Sequence, residues 1–324
     1  MPARTPSPPT AAPADAGPIR PFLRPLEAIN FLALAVVSLL TLALYRRLPD
    51  PAGLLVRYAI MAAALALVAA LARRERGLPA FLRFLLDFYP AAFIPVLYET
   101  LGVLILAARG GARDELLIAA DRALFGADVT VWLERFVRPW LTNLFYLAYT
   151  TYYFISLALG FALWRRDIPD LRRYIFTLTL CYYVSYAGYF VIPALGPRIA
   201  LANRQSVVLE STPVAAAIAK TLNELEHTKL DVFPSGHTML AAAVLFVAYR
   251  RARDVFWWLL PVATLLILST VYCRYHYVVD VIAGLTLAAI TVPAGDALYD
   301  RITRRLSVER SASGVDSESS GTDD

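Results

Sequence analysis

Stretches of about 15 to 20 apolar residues recur along most of this chain, separated by short segments rich in arginine. A membrane-crossing helix needs about 20 such residues at a rise of 1.5 Å each, with roughly 17 to 25 tolerated. The pattern predicts helices over 28–45, 54–72, 90–108, 141–164, 171–192, 235–250, 255–273 and 277–296, the sixth being short for a span. The expected fold class is therefore an all-α integral membrane protein of about eight transmembrane helices. The first apolar block is too long for a secretory signal and has no small-residue cleavage site, so it is expected to stay as a span. Residues 1–25 are proline- and alanine-rich, and residues 301–324 end in serine and acid. Both are expected to be disordered tails, and 26–85 to be a pair of transmembrane helices.

Composition narrows the class further. Apolar residues make up 58% and charged residues 18%, against about 45–50% and 25% in a soluble domain, which excludes an ordinary soluble protein. The net charge of +5 comes from arginine pairs at helix ends, not from a basic stripe interleaved with aromatics, so nucleic acid is not an expected partner. Cys181 and Cys273 both lie inside apolar blocks, which excludes a disulfide framework. The pairs Arg73/Arg74, Arg165/Arg166, Arg172/Arg173, Arg250/Arg251 and Arg304/Arg305 fall on the same side as the termini. Positive residues favour the cytoplasm, so both termini are expected inside, with the loops after helices 1, 3, 5 and 7 facing outward.

The loop after helix 3, residues 114–138, mixes charged positions (Asp114, Glu115, Asp121, Arg122, Glu134, Arg135) with apolar ones (Leu116, Leu117, Leu124, Trp132, Phe136). This is an amphipathic, interface-lying pattern, either a surface helix at the lipid boundary or a lid over an outward-facing site. No internal repeat or inverted pair of halves suggests a secondary transporter.

Candidate chemistry is concentrated in the last third, which holds all three histidines, His227, His237 and His276. The run Phe233-Pro234-Ser235-Gly236-His237 precedes an apolar stretch, so Ser235 is placed to cap a helix and His237 falls in its first turn. Unpaired N–H groups at such a start bind phosphate oxygens, and Gly236 lets an anion approach the backbone. In Arg274-Tyr275-His276-Tyr277-Val278-Val279-Asp280, His276 and Asp280 are four apart at a helix start and share a face. A carboxylate on one imidazole nitrogen fixes the tautomer and makes the other nitrogen more nucleophilic. Pro193 to Arg198 is a breaker-rich stop presenting one guanidinium, a group that matches phosphate bidentately.

By the predicted topology these three segments converge on the outer face. Two histidines and a carboxylate are also the makings of a metal triad, which insensitivity to chelators would exclude. His227 reads as a solvated loop residue. Glu99 interrupts helix 3 and needs a partner or a headgroup. Tyr146, Tyr149, Tyr152 and Tyr153 read as packing and interface anchors.

These residues resemble the type-2 phosphatidic acid phosphatase superfamily, with motifs Lys-x6-Arg-Pro, Pro-Ser-Gly-His and Ser-Arg-x5-His-x3-Asp. The second motif is complete at 234–237; the third is met by Ser269, His276 and Asp280, with Thr270 at its arginine position. Val191 stands where the first motif has lysine, and Arg198 follows a proline instead of preceding one. The resemblance implies a six-helix core, residues 86–300, with helices 1 and 2 as an extra N-terminal pair. It implies that His276 attacks phosphorus, Asp280 orients it and His237 protonates the departing lipid oxygen, without cofactor or metal. Arg198, Ser235, Gly236 and Arg274 are then the expected substrate-binding residues, Arg274 supplying charge from a different backbone position.

The expected activity is that of a lipid phosphate phosphatase acting on a phosphomonoester or diphosphate lipid through a phosphohistidine. The alternative is a headgroup phosphotransferase, as in the branch that includes inositol phosphorylceramide synthases; a transporter or scaffold is the reading from a different class. The expected partners are the lipid phosphate substrate and membrane lipids. The expected location is a bacterial inner membrane with the site facing the periplasm or exterior.

Overall fold

Several helices begin where the chain supplies its own caps. The carboxylate of Asp50 accepts the N–H of Gly53 at 2.9 Å, that of Asp167 accepts Asp170 at 2.8 Å, and Ser235 Oγ accepts Thr238 at 3.3 Å. Glu27 reaches back to the N–H of Arg24 at 2.9 Å. Each bond satisfies a donor that helix geometry leaves without an internal partner.

In the computed structural model these starts open an all-helical membrane bundle, with no strand among the described residues, which are 23–318 apart from 214, 216, 218, 219 and 222–229. Its longer helices are α1 Pro25–Ala43, α2 Pro51–Arg73, α3 Ala80–Phe88, α4 Pro90–Tyr98, α5 Leu101–Arg109, α6 Asp114–Phe125, α7 Pro139–Thr150, α8 Tyr152–Trp164, α9 Ile168–Val191, α10 Gly236–Arg251, α11 Arg253–Tyr272 and α12 Val278–Glu318.

Each of the eight expected segments coincides with helix. Among the described residues, five helical stretches are long and apolar enough to cross a membrane, or six if the bent pair α7 and α8 is one span. The buried helix α10, with 16 residues, is outside that group, as is α9, which carries Arg172 and Arg173. Protein rather than lipid covers most of α10, so its sequence need not be uniformly apolar.

Close packing holds the centre together, because lipid removes the hydrophobic drive for helices to associate. Met239, Leu240 and Val244 of α10 share one buried cluster with Phe176 of α9, Leu266 of α11 and Val292 of α12. At Gly284 a Cβ would fall 2.6 Å from the carbonyl oxygen of Ser235, so glycine is what allows α12 to lie against the start of α10. Helices α1 and α2 lean on α4, α5 and α9 through Leu34, Met61, Leu65, Leu97 and Leu104.

Two breaks shape the bundle. The expected helix over 90–108 is two pieces, α4 and α5, parted at Glu99 and Thr100. The expected helix over 141–164 bends by 48° between α7 and α8. At that bend the hydroxyls of Thr150 and Thr151 donate to the carbonyls of Leu147 (2.7 Å) and Ala148 (2.6 Å), the side-chain competition that bends helices.

The C-terminal end also differs from expectation. From residue 301 a disordered tail was expected, yet α12 continues to Glu318. Its last proline is Pro293, so nothing beyond it removes a backbone donor, and the helix propagates through Arg301, Arg304 and Arg305. Residues 1–22 and His227 lie outside the described residues.

At the arginine-rich end, Asp87 of α3, only 3% exposed, receives Arg24 at 2.9 Å and Arg172 of α9 at 3.0 Å; Arg172 also meets Glu75 at 2.8 Å. Arg24 keeps Glu27 and Arg172 keeps Glu75 when Asp87 is lost, so Asp87→Ala is expected to destabilise the protein by about 1 to 3 kcal/mol, the cost of leaving their remaining donors short of an acceptor. Thermal unfolding in detergent checks this; an unchanged midpoint would mean that the network carries no net stability.

Candidate active site

At the end of the bundle opposite that network, the last turns of α9 and α11 meet the first turns of α10 and α12. The N–H of Ser235 donates to the carbonyl of Asp280 at 3.1 Å, which joins the two helix starts directly. The loop between α11 and α12 is folded by Thr270, whose carbonyl accepts the N–H of Tyr275 at 2.9 Å and of His276 at 3.0 Å. Arg274 within that loop takes a positive φ of 64°. Its carbonyl accepts the N–H of Arg198 at 2.8 Å, bringing the third segment alongside.

Gly196 is what permits that approach. Its φ is +84°, and a Cβ there would fall 2.6 Å from the carbonyl oxygen of Tyr275. Gly196→Ala is therefore expected to lower stability by about 1 to 3 kcal/mol and to displace Arg198. Denaturation in detergent tests this, and a variant as stable as the parent would contradict it.

The two imidazoles come together: His276 Nε2 and His237 Nδ1 are 3.5 Å apart. On the other side of the ring, His276 Nδ1 lies 3.5 Å from Asp280 Oδ2. Asp280 is fully buried and its Oδ2 also accepts the N–H of Tyr277 at 2.8 Å, while Oδ1 has no hydrogen-bond partner among the described residues. One nitrogen of His276 thus faces a carboxylate and the other faces a second imidazole, each at 3.5 Å.

The remaining expected residues fall into different roles. Gly236 opens α10 beside this pair and lines the cavity. Ser235 is fully buried, with its Oγ on the N–H and hydroxyl of Thr238, and acts as a helix cap. Arg198 lines the cavity with its guanidinium carbon 4.9 Å from the centroid of the Tyr275 ring. Arg274 also lines the cavity, but its guanidinium donates to Glu134 at 3.0 Å, Gln205 at 3.2 Å and the carbonyl of Val207 at 2.6 Å. Its charge is shared with a carboxylate before any anion arrives.

The motif positions without a cation explain themselves in part. Val191 is 61% exposed on the bundle surface, and Thr270 is buried with its hydroxyl on the carbonyl of Ile267. Among the described residues no group of three His, Cys, Asp or Glu side chains is placed to hold a metal ion.

The bend at Thr150 and Thr151 matters to the site. It sets Tyr149 and Tyr152 against His237, with ring centroids 4.6 and 4.2 Å away, and Tyr149 stacks on Tyr275 at 4.3 Å. These tyrosines, expected as packing, hold the His237 ring. The sequence signal was available in two adjacent threonines amid an aromatic stretch.

From the histidines a cavity of about 440 Å³ descends along α9, past Tyr189, Tyr186 and Tyr182 to Tyr174 and Phe88. Tyr189 and Tyr174 are fifteen residues apart, roughly 20 Å along a helix axis. Its lining includes residues exposed on the bundle surface, Ala91 and Pro95 of α4 and Tyr153 and Leu157 of α8. Glu99, at the break between α4 and α5, also lines it, and the adjacent Tyr98 donates its hydroxyl to Asp231.

No solved structure matches the chain. A PA-phosphatase related-family protein of Dictyostelium discoideum is 22% identical over 232 residues, a similarity covering 59% of this chain and 41% of that protein. The family model described as the PAP2 superfamily matches residues 115–294, a region that contains His237, His276, Asp280 and Arg198. With that match over more than half its length and an all-helical membrane bundle around the histidine pair, the chain belongs to the PAP2 superfamily.

Proposed function

We propose that this protein is a membrane lipid phosphate phosphatase that works through a phosphohistidine at His276. The observation that carries the reading is the arrangement about His276: Asp280 at Nδ1 and His237 at Nε2, each 3.5 Å away. In the first step Nε2 of His276 bonds to phosphorus as the bond from phosphorus to the lipid oxygen breaks. Protonated His237 gives its proton to that oxygen, releasing a lipid alcohol. In the second step a water molecule loses a proton to His237 and attacks phosphorus, the bond to nitrogen breaks, and inorganic phosphate leaves.

Splitting one transfer into two displacements lowers each barrier, provided an acid/base group and anion stabilisers are at hand. Arg198 and the N-terminus of α10 at Gly236 are the stabilisers in this reading, with Arg274 a weaker contributor because Glu134 already holds it. Asp280 orients His276 through Oδ2, 3.5 Å from Nδ1 and itself fixed by the N–H of Tyr277. The tyrosine-lined cavity takes the lipid, entering between α4 and α8 where its lining reaches the bundle surface. The arginine-rich end belongs on the cytoplasmic side and the histidines on the exterior or periplasmic side of a bacterial inner membrane.

Purified protein incubated with phosphatidate, with a polyprenyl diphosphate, and with phosphatidylinositol plus ceramide tests the reading. Release of inorganic phosphate from either of the first two supports hydrolysis. A new phosphorylated lipid from the third, without phosphate release, replaces water by an alcohol acceptor and makes the protein a headgroup transferase. No product in any arm overturns the enzymatic reading.

A further inference from the structure

Helix α6 sends two buried carboxylates into the loops that carry the site. Asp114, its first residue, accepts the N–H groups of Leu195 and Gly196 at 2.8 Å each and the hydroxyl of Tyr277 at 2.9 Å. Asp121, two turns later on the same face, accepts the N–H groups of Val278 at 3.1 Å and Val279 at 2.8 Å. Asp114 is 6% exposed and Asp121 is 2% exposed. Leu117 lies between them and packs with Ala194, Val232 and Tyr277. Burying a carboxylate is costly unless hydrogen bonds compensate, and each of these has at least two.

The donors held by Asp121 are the first two of α12, which that helix cannot satisfy internally. The residue just before α12 is Tyr277, with no side chain able to accept them. A carboxylate from another helix therefore does the capping and fixes how far α12 is advanced and rotated. Asp280 rides on the first turn of α12, whereas His276 lies outside it in the preceding loop. Any slip or rotation of that turn changes the separation of Asp280 from His276 directly. Asp114 does the same for the opposite wall, since the backbone that it holds at Leu195 and Gly196 leads within two residues to Arg198.

We propose that Asp121 is a positioning residue that caps α12 from outside and sets Asp280 against His276, with Asp114 holding the Arg198 loop in register with them. The amphipathic segment is in this view a fixed clamp on the site. The inference rests on the reading of His276 as nucleophile, and its test separates the two.

Asp121→Asn keeps the side chain's shape but turns one acceptor into a donor facing an N–H group. It is expected to lower kcat about 10- to 100-fold with KM changed less than about threefold, since small misplacement of reacting groups has effects of that size. Leu117→Ala is the control: it loosens the same helix without touching the hydrogen bonds, and is expected to lower the unfolding temperature with kcat largely kept. The geometry is read without turnover by NMR of protein with labelled histidine imidazoles, of which the chain has three. Asp121→Asn is expected to shift the His276 resonances, which their loss in His276→Ala identifies.

The proposal is overturned if the His276 resonances superimpose on those of the parent, if kcat stays within twofold, or if the loss equals that of Leu117→Ala. Retention of activity by His276→Ala removes the nucleophile reading instead, leaving the NMR result to decide the clamp. If Asp121→Asn does not fold, Asp114→Asn takes its place and is expected to raise KM more than it lowers kcat, through Arg198; an unchanged KM overturns the clamp.

Discussion

His276→Ala is expected to lower turnover of a lipid phosphate by on the order of 10⁴-fold or more and to leave no phosphate on the protein, because removing the proposed nucleophile would eliminate the covalent path and leave only binding and electrostatic assistance. The parent, quenched during turnover with labelled substrate, is expected to retain label that acid releases and base does not. The reason to assign the bond to this nitrogen is directional. Nδ1 is turned to Asp280, so the tautomer with its proton there leaves Nε2 bare and facing His237. Label that persists on His276→Ala would transfer the role to another residue, with His237 the first to test.

His237→Gln has a different signature. General-acid assistance contributes typically 10²- to 10⁴-fold, and its worth depends on how badly the leaving group needs a proton. Turnover of a lipid phosphate is expected to fall by that factor. With an aryl phosphate whose phenolate leaves unprotonated, formation of the phosphoenzyme is expected to fall far less, while its hydrolysis stays slow because the water has no base. Label should then accumulate on His276. Equal losses for both substrates would remove His237 from proton transfer and make it a binding group. Tyr149 and Tyr152, which hold the His237 ring at 4.6 and 4.2 Å, are the contacts that keep its Nδ1 aimed at the neighbouring imidazole.

The histidines were legible because their signals are local. Ser235 announces a helix start within three residues, and Asp280 sits one turn from His276. Arg274 shows the limit of such reading. As a residue two positions before a candidate nucleophile it looks like a spare phosphate cation, yet Glu134, 140 residues earlier, occupies its guanidinium. Asp114 and Asp121 gave a fainter signal, carboxylates seven apart with Leu117 between them on one helix face, which places charge on the side expected to be buried. Nothing in their neighbourhood says that their partners are Tyr277 and Val279, more than 150 residues on.

By itself the sequence determined the all-helical membrane class, the helix start at Ser235, and the three short segments proposed to carry the chemistry. These follow from hydropathy, caps and side chains within one helical turn of each other, where neighbours along the chain are neighbours in space. Tertiary structure alone decided that His237 and His276 face each other at 3.5 Å, that Tyr149 and Tyr152 lie against the His237 ring, and that a cavity runs beneath. Those are contacts across 39 residues and more, and packing of separate helices through close approaches such as Gly284 on Ser235 fixes them.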